Sequence, residues 1–157
     1  MNRTVVVCIA LFGLFVLTIG ALIGYAAMTG PQLDVSSKAY VDDAVPKIIA
    51  TWSVDELLSR GSPRIRDTVD LDQLRGVFAR LSALGRLVSY DGAKGTSRMA
   101  FTPSDGKVVG AVYLARATFE HGHAQVRISL VQVAGQWRIQ AFSVDSPLLR
   151  GQREAST

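Results

Sequence analysis

Residues 126–144 read Val-Arg-Ile-Ser-Leu-Val-Gln-Val-Ala-Gly-Gln-Trp-Arg-Ile-Gln-Ala-Phe-Ser-Val. Val126, Ile128 and Leu130 alternate with Gln125, Arg127 and Ser129, the period of two that belongs to a half-buried strand. Ala134-Gly135 then breaks the run, as a tight hairpin with positive φ angles requires, and Trp137 opens a second apolar strand. The stretch is therefore a closing antiparallel hairpin. Upstream, Val109, Ala111, Tyr113, Ala115, Ala117 and Phe119 alternate with Val108, Val112, Leu114, Arg116 and Glu120. Three more X-Gly pairs, Asp91-Gly92, Asp105-Gly106 and His121-Gly122, punctuate this region. Together they predict a five-segment antiparallel meander after Gly85.

Before Gly85 the period is helical. Tyr40, Val41, Ala44, Val45, Ile48, Ile49 and Trp52 form one broad apolar stripe from Ser37 onward. Pro46 lies inside it and is expected to kink or restart the helix, because it cannot donate to residue 42. Ser53 followed by Glu56 is a capping box, predicting a short second helix that ends before Gly61-Ser62-Pro63. Asp70 caps a third, with Leu71, Leu74, Val77, Phe78, Leu81 and Leu84 on one face and Gly85 as its stop. Helices followed by an antiparallel sheet is the order of an α+β domain.

With that order in place, Gly135-x-Trp137-x-Ile139-x-x-Phe142 resembles the last hairpin of the NTF2-like (cystatin-like) superfamily. The span from about Ser37 to Ser146 is similar to small exported bacterial domains of that superfamily, including the Ser-Lys-Ala-Tyr-Val-Asp start of the first helix (37–42) and the Gly-Lys-Val-Val strand (106–109). The resemblance implies a cone in which about three helices pack on a curled antiparallel sheet. It also implies a cavity, for which Tyr40, Trp52, Phe101, Tyr113 and Phe119 are the candidate lining.

At the other end of the chain, Val5 to Met28 is an uncharged, mostly apolar run. As a helix it measures about 36 Å, enough to cross a hydrocarbon core of about 30 Å. It exceeds the 7–15 residues or so of a signal-peptide core, so an uncleaved anchor is expected. The predicted organisation is a cytoplasmic stub (1–4), a transmembrane helix (5–28), a linker (29–36), an NTF2-like domain (37–146) and a flexible tail (147–157). The Gly30-Pro31 pair should end the membrane helix. Arg3 on the short side places the domain on the far side of the cytoplasmic membrane, the periplasm of a bacterium. Gly20 and Gly24 form a Gly-x-x-x-Gly pair, a candidate helix-packing face for self-association.

Composition narrows the function classes. Arg3 is the only charged side chain in the first 30 residues, leaving 16 Lys and Arg against 13 Asp and Glu in the remainder. These basic residues are scattered in sequence, which argues against nucleic acid. Cys8 is the sole cysteine, so neither an intrachain disulfide nor a cysteine metal site is available. His121 and His123 share a strand-like spacing but lack a third ligand, and a hairpin turn accounts for both. Tyr113 and Tyr90 beside Arg116 or Asp91 form the one sketch of acid–base chemistry; space filling and turn geometry explain them better. Arg60, Arg64 and Arg66 surround a Gly-Ser-Pro break, a solvated loop by composition. Trp52 and Trp137 close apolar patterns and are expected as core anchors. No phosphate-binding loop, nucleophile elbow, zinc-protease or calcium motif occurs, and no cofactor is expected.

The sequence thus predicts a membrane-tethered, non-catalytic interaction or assembly module with an envelope protein or a second copy as partner. The arrangement resembles that of inner-membrane assembly components of type IV secretion systems. The alternative is binding of a small apolar ligand or lipid in the cone, and behind it an isomerase-like or hydratase-like enzyme.

Overall fold

The computed structural model describes residues 31–103, 106–148 and 150. The chain divides into two compact units, Met1–Leu33 and Asp34–Thr157. The proposed anchor Val5–Met28, Cys8, Gly20 and Gly24, and the end of the tail from 151 to 157, lie outside the described residues. Among the described residues no helix is long and apolar enough to cross a membrane.

The second unit is α+β: helices packed on a four-stranded, curled antiparallel sheet. Residues 31–51 are helical (α1), so 31–36, expected as linker, have helical backbone, and Pro46 does not interrupt the run. Val41, Ala44, Val45, Ile48 and Ile49 are fully buried along one face, as the stripe predicts. The helix ends with Trp52 at φ 49, and Ser53 N–H donates to Ile48 C=O at 3.2 Å. This is the left-handed helix stop that glycine usually provides. Trp52 takes it because its ring is needed inside, stacked on Phe119 at 5.5 Å and edge-on to Phe78 at 5.7 Å.

Helix α2, Val54–Ser59, starts at Ser53, whose hydroxyl accepts from Glu56 N–H. Only half of the capping box forms, because the Glu56 carboxylate accepts from Arg60 instead. The supposed loop at Pro63 is a further helix, α3 (Pro63–Thr68), capped by Ser62 with Pro63 in its first turn. The fixed φ of proline and its missing N–H suit that position. Helix α4, Leu71–Leu81, is capped by Asp70 as expected and continues into a 3-10 turn, Ser82–Leu84, stopped by Gly85 at φ 80. Its inner half carries the burial: Phe78, Leu81 and Leu84 are buried, whereas Leu71 is exposed.

The meander has four strands, not five segments: β1 Leu87–Thr102, β2 Gly106–Phe119, β3 Gly122–Val133 and β4 Gln136–Asp145, in the order β1-β2-β3-β4. Asp91-Gly92 is no hairpin. Tyr90 pairs with Ala117 and Ala93 with Ala115, so one extra residue is accommodated in β1 as a bulge, with Gly92 at φ 81. The β3–β4 hairpin turns on Ala134 (φ 50) and Gly135 (φ 76), a two-residue loop with both central φ angles positive.

Both sheet edges are closed by the helical half. On β4, Ile139 C=O accepts from Ser62 N–H at 2.8 Å and Ile139 N–H donates to Arg60 C=O at 2.9 Å. On β1, two aspartates of α1 take the outward amides. Asp34 accepts from Ser97 N–H at 2.6 Å and Asp42 accepts from Ala93 N–H at 3.0 Å. Eight helical residues rise about 12 Å and four strand residues about 13 Å, so α1 runs antiparallel to β1 with the two spacings matched.

Candidate functional site

The predicted cone lining does not converge on an open space. Tyr113 is 1% exposed and its hydroxyl lies 2.8 Å from Ser37 Oγ while donating to Asp34 C=O at 3.1 Å. Trp52 and Phe119 are stacked on each other in the core. Tyr40 donates to Arg60 C=O at 3.4 Å, at the junction of α1 and α2. Phe101 is not buried with them but 77% exposed, near the end of β1. Trp137 is a core anchor as expected, its Nε1 donating to Ser36 Oγ at 3.1 Å. Trp52 is buried too, and among the described residues its Nε1 has no hydrogen-bond partner.

The acid–base sketch is divided by the sheet. Tyr90 is on the helix-facing side, donating to Asp42 at 2.8 Å. Burial, then that bond, pushes its hydroxyl well above the ordinary tyrosine range. Arg116 points to the opposite side, because it alternates with buried Ala115 and Ala117. His121 sits in the β2–β3 turn, its N–H donating to Leu84 C=O, and His123 contacts Thr118 on β2. Among the described residues no group of three or more His, Cys, Asp or Glu could hold a metal ion. Arg60 is tied to Glu56 and Asp43, so it belongs to the helical scaffold, whereas Arg64 and Arg66 are exposed on α3.

Three concave features among the described residues lie instead on the sheet face turned away from α1. One is a groove of about 540 Å³ lined by Arg98, Val108, Val112, Arg127, Ser129 and Val131, among others. Two smaller ones continue along the same face, past Lys94, Leu114 and Arg116 to His123 and Asp145. Strand register shows how this surface is assembled. Lys94 stands opposite Leu114, which stands opposite Arg127. Two positions along, Thr96, Val112 and Ser129 form the next row; beyond it lie Arg98, Gly110, Val131 and Arg138. Opposed residues on neighbouring strands are about 5 Å apart and same-face residues along a strand about 7 Å, so all three rows fit one compact patch.

Its centre is apolar and its frame is cationic. Val112 and Leu114 are 43% and 44% exposed, in contrast to the full burial of the alternate positions on the other side of β2. Lys94, Arg98, Arg116 and Arg127 surround them. Among the described residues the side chains of these four take part in no hydrogen bond or ion pair. The acidic side chain at the far end, Asp145, is already paired with Arg150. Asp91 lines the two smaller concavities beside Arg116, so the face carries a net positive charge, four cations against this one further carboxylate, around an apolar strip, a composition suited to a partner with carboxylates around apolar side chains.

Sequence reasoning missed this patch, although a signal for it existed. The same period-two alternation that assigns Ala111, Tyr113 and Ala115 inward assigns Val112, Leu114 and Arg116 outward, and two of those three are apolar. No family model, no curated protein and no solved structure matches the chain.

Proposed function

We propose that this chain is a membrane-tethered, non-catalytic interaction or assembly module, built as an NTF2-like domain, that docks an acidic envelope protein on the outer face of its sheet. The observation that carries the reading is the patch itself: four cations without side-chain partners among the described residues, framing exposed Val112 and Leu114 along an open groove. Apolar contact at the centre of an interface supplies most of its energy, and rim charges set partner choice and association rate. A carboxylate meeting Arg127 or Lys94 has no internal ion pair to break first.

The same charges favour a different chain over a second copy. A two-fold contact through this face would bring like cations against each other, a repulsive arrangement in an isologous interface. The α+β architecture, with one long helix lying along a curled antiparallel sheet, supports the NTF2-like assignment. The uncharged Val5–Met28 run and its single flanking Arg3 support an anchor with the domain exported. The interior packing of Trp52, Phe119 and Tyr113 weighs against a ligand held in the cone, and the separation of Tyr90 from Arg116 weighs against the acid–base alternative.

The test is a photo-crosslinking amino acid at position 112 of the full chain in its own membrane. It should trap a partner with an acidic surface, and the adduct should disappear with Arg98→Glu plus Arg127→Glu but persist with Arg64→Glu plus Arg66→Glu. Equal crosslinking in both double variants, or a homodimer adduct alone, overturns the reading.

A further inference from the structure

We infer that the partner enters the groove with an aromatic side chain, seated over Gly110 against Arg98, and sets its carboxylates about four extended residues further along, against Lys94 and Arg127. The inference deepens the docking reading above and rests on it. Gly110 lies inside β2, a position where glycine weakens a sheet and leaves its surface bare. Its φ is not positive, and an added Cβ would meet Leu130 C=O at 3.3 Å and nothing else within 4 Å. The fold demands glycine far less here than at Gly95, where a Cβ would lie 2.0 Å from Val112 C=O. A glycine inside a strand with so little internal reason marks a place where another molecule comes close.

The missing side chain leaves a socket in the floor of the groove. Arg98 and Val131 stand opposite Gly110 on the two neighbouring strands, each about 5 Å away, and Val108 and Val112 lie about 7 Å away along β2. All of them line the groove. Three walls are therefore apolar, and the fourth is an exposed guanidinium with no hydrogen bond or ion pair of its own among the described residues. A flat ring suits these walls better than an aliphatic chain, because a guanidinium stacks on an aromatic face while the valines meet the ring's edge. Aromatic side chains in such pockets carry much of an interface's energy. Charge then gives the occupant a direction. On one side of Gly110 the next row is Ala100 and Val108, without charge. On the other side Lys94 and Arg127 flank Leu114 two rows away, about 13 Å along the strands. The fitting segment carries its ring at the Gly110 end and its acid at the Arg127 end.

The experiment is fluorescence anisotropy at low salt, with the full chain in mild detergent and a labelled peptide made in both chain directions. The peptide has about ten residues, with one tryptophan near one end and three aspartates beginning about four residues away. In the better-binding direction it should bind about tenfold or more tighter than the same peptide with alanine in place of tryptophan. Gly110→Leu fills the socket from its floor and Val131→Trp, independently, from its wall. Each should bring the tryptophan peptide to the level of the alanine peptide, whose own binding stays unchanged. Arg127→Glu should weaken both peptides. A preference for tryptophan that survives both filling substitutions overturns the placement at Gly110. Equal binding of the two peptides, each weakened by Arg127→Glu, overturns the aromatic socket and leaves the docking face standing. Binding of neither peptide, or binding indifferent to Arg127→Glu, overturns the docking face and the socket with it.

Discussion

The Asp34 carboxylate accepts both the backbone N–H and the hydroxyl of Ser97, each at 2.6 Å, so a helix side chain occupies a position on the edge of β1 that another strand would otherwise take. Asp42 repeats the device one row along, accepting from Ala93 N–H and from the Tyr90 hydroxyl. An unpaired edge is a template for aggregation, and these carboxylates close it while fixing the register of α1 on the sheet. Replacing Asp42 by Ala removes two part-buried hydrogen bonds and the Lys38 ion pair. The expected loss is about 1–3 kcal/mol, read by thermal unfolding of the full chain in mild detergent. Asp34→Ala should also raise the rate of concentration-dependent aggregation.

The same pair sets a response to acid. Asp34 is held below the usual carboxylate range by the Ser97 hydroxyl and N–H. Burial pushes Asp42 upward, but the hydrogen bonds from Lys38, Tyr90 and Ala93 outweigh it and leave this carboxyl lowered as well. A carboxyl with a lower pKa folded than unfolded contributes its stability above the unfolded value and loses it as pH falls through the folded one. Melting temperature should therefore be flat from neutrality to about pH 5 and fall below about pH 4. In the Asp34→Asn, Asp42→Asn double variant that fall should be shallower.

Gly95 stands opposite Tyr113, and a Cβ there would lie 2.0 Å from Val112 C=O and 2.7 Å from Tyr113 Cα. Backbone cannot yield as a flexible side chain does. Gly95→Ala should cost more than about 2 kcal/mol, measured by denaturant unfolding, whereas Gly110→Ala, whose nearest neighbour would be Leu130 C=O at 3.3 Å, should cost clearly less.

Ala134 adopts φ 50 in the β3–β4 turn without the conformational freedom of glycine. Asparagine tolerates this region and precedes glycine in the favoured two-residue hairpin turn. Ala134→Asn should stabilise the chain by about 0.5–1 kcal/mol, seen as a rise of a few degrees in melting temperature. An unchanged or lowered midpoint would show that the turn is not strained.

Elements with strong local periodicity were legible in the sequence, and those decided by partners were not. The alternation of β2 and β3 and the caps Ser53 and Asp70 act within a few residues, and the structure has each of them. Asp91-Gly92 has the composition of a hairpin turn, yet β2 is long enough to pair on both sides of it, so the extra residue becomes a bulge. Ser62-Pro63 has the composition of a break, although serine before proline also opens a helix, which α3 shows. Pro46 lies in a helix whose buried face outweighs one missing hydrogen bond. The cations at 94, 98, 116 and 127 look scattered along the chain, because only strand register brings Lys94, Leu114 and Arg127 into one row. Phe101 has the apolar parity of the core, yet it is exposed near the end of β1.

The docking face is tested most directly by the affinity of the full chain, in mild detergent, for the partner trapped at position 112, with Arg127 intact and with Arg127→Glu. Reversal of one unpaired cation beside Leu114 should weaken binding at least about tenfold at low salt, with the difference narrowing as salt is raised, since exposed charges are screened, and with melting temperature unchanged. Equal affinity for the two chains at low salt, with the fold intact in both, would contradict the assignment of this face as the site of interaction.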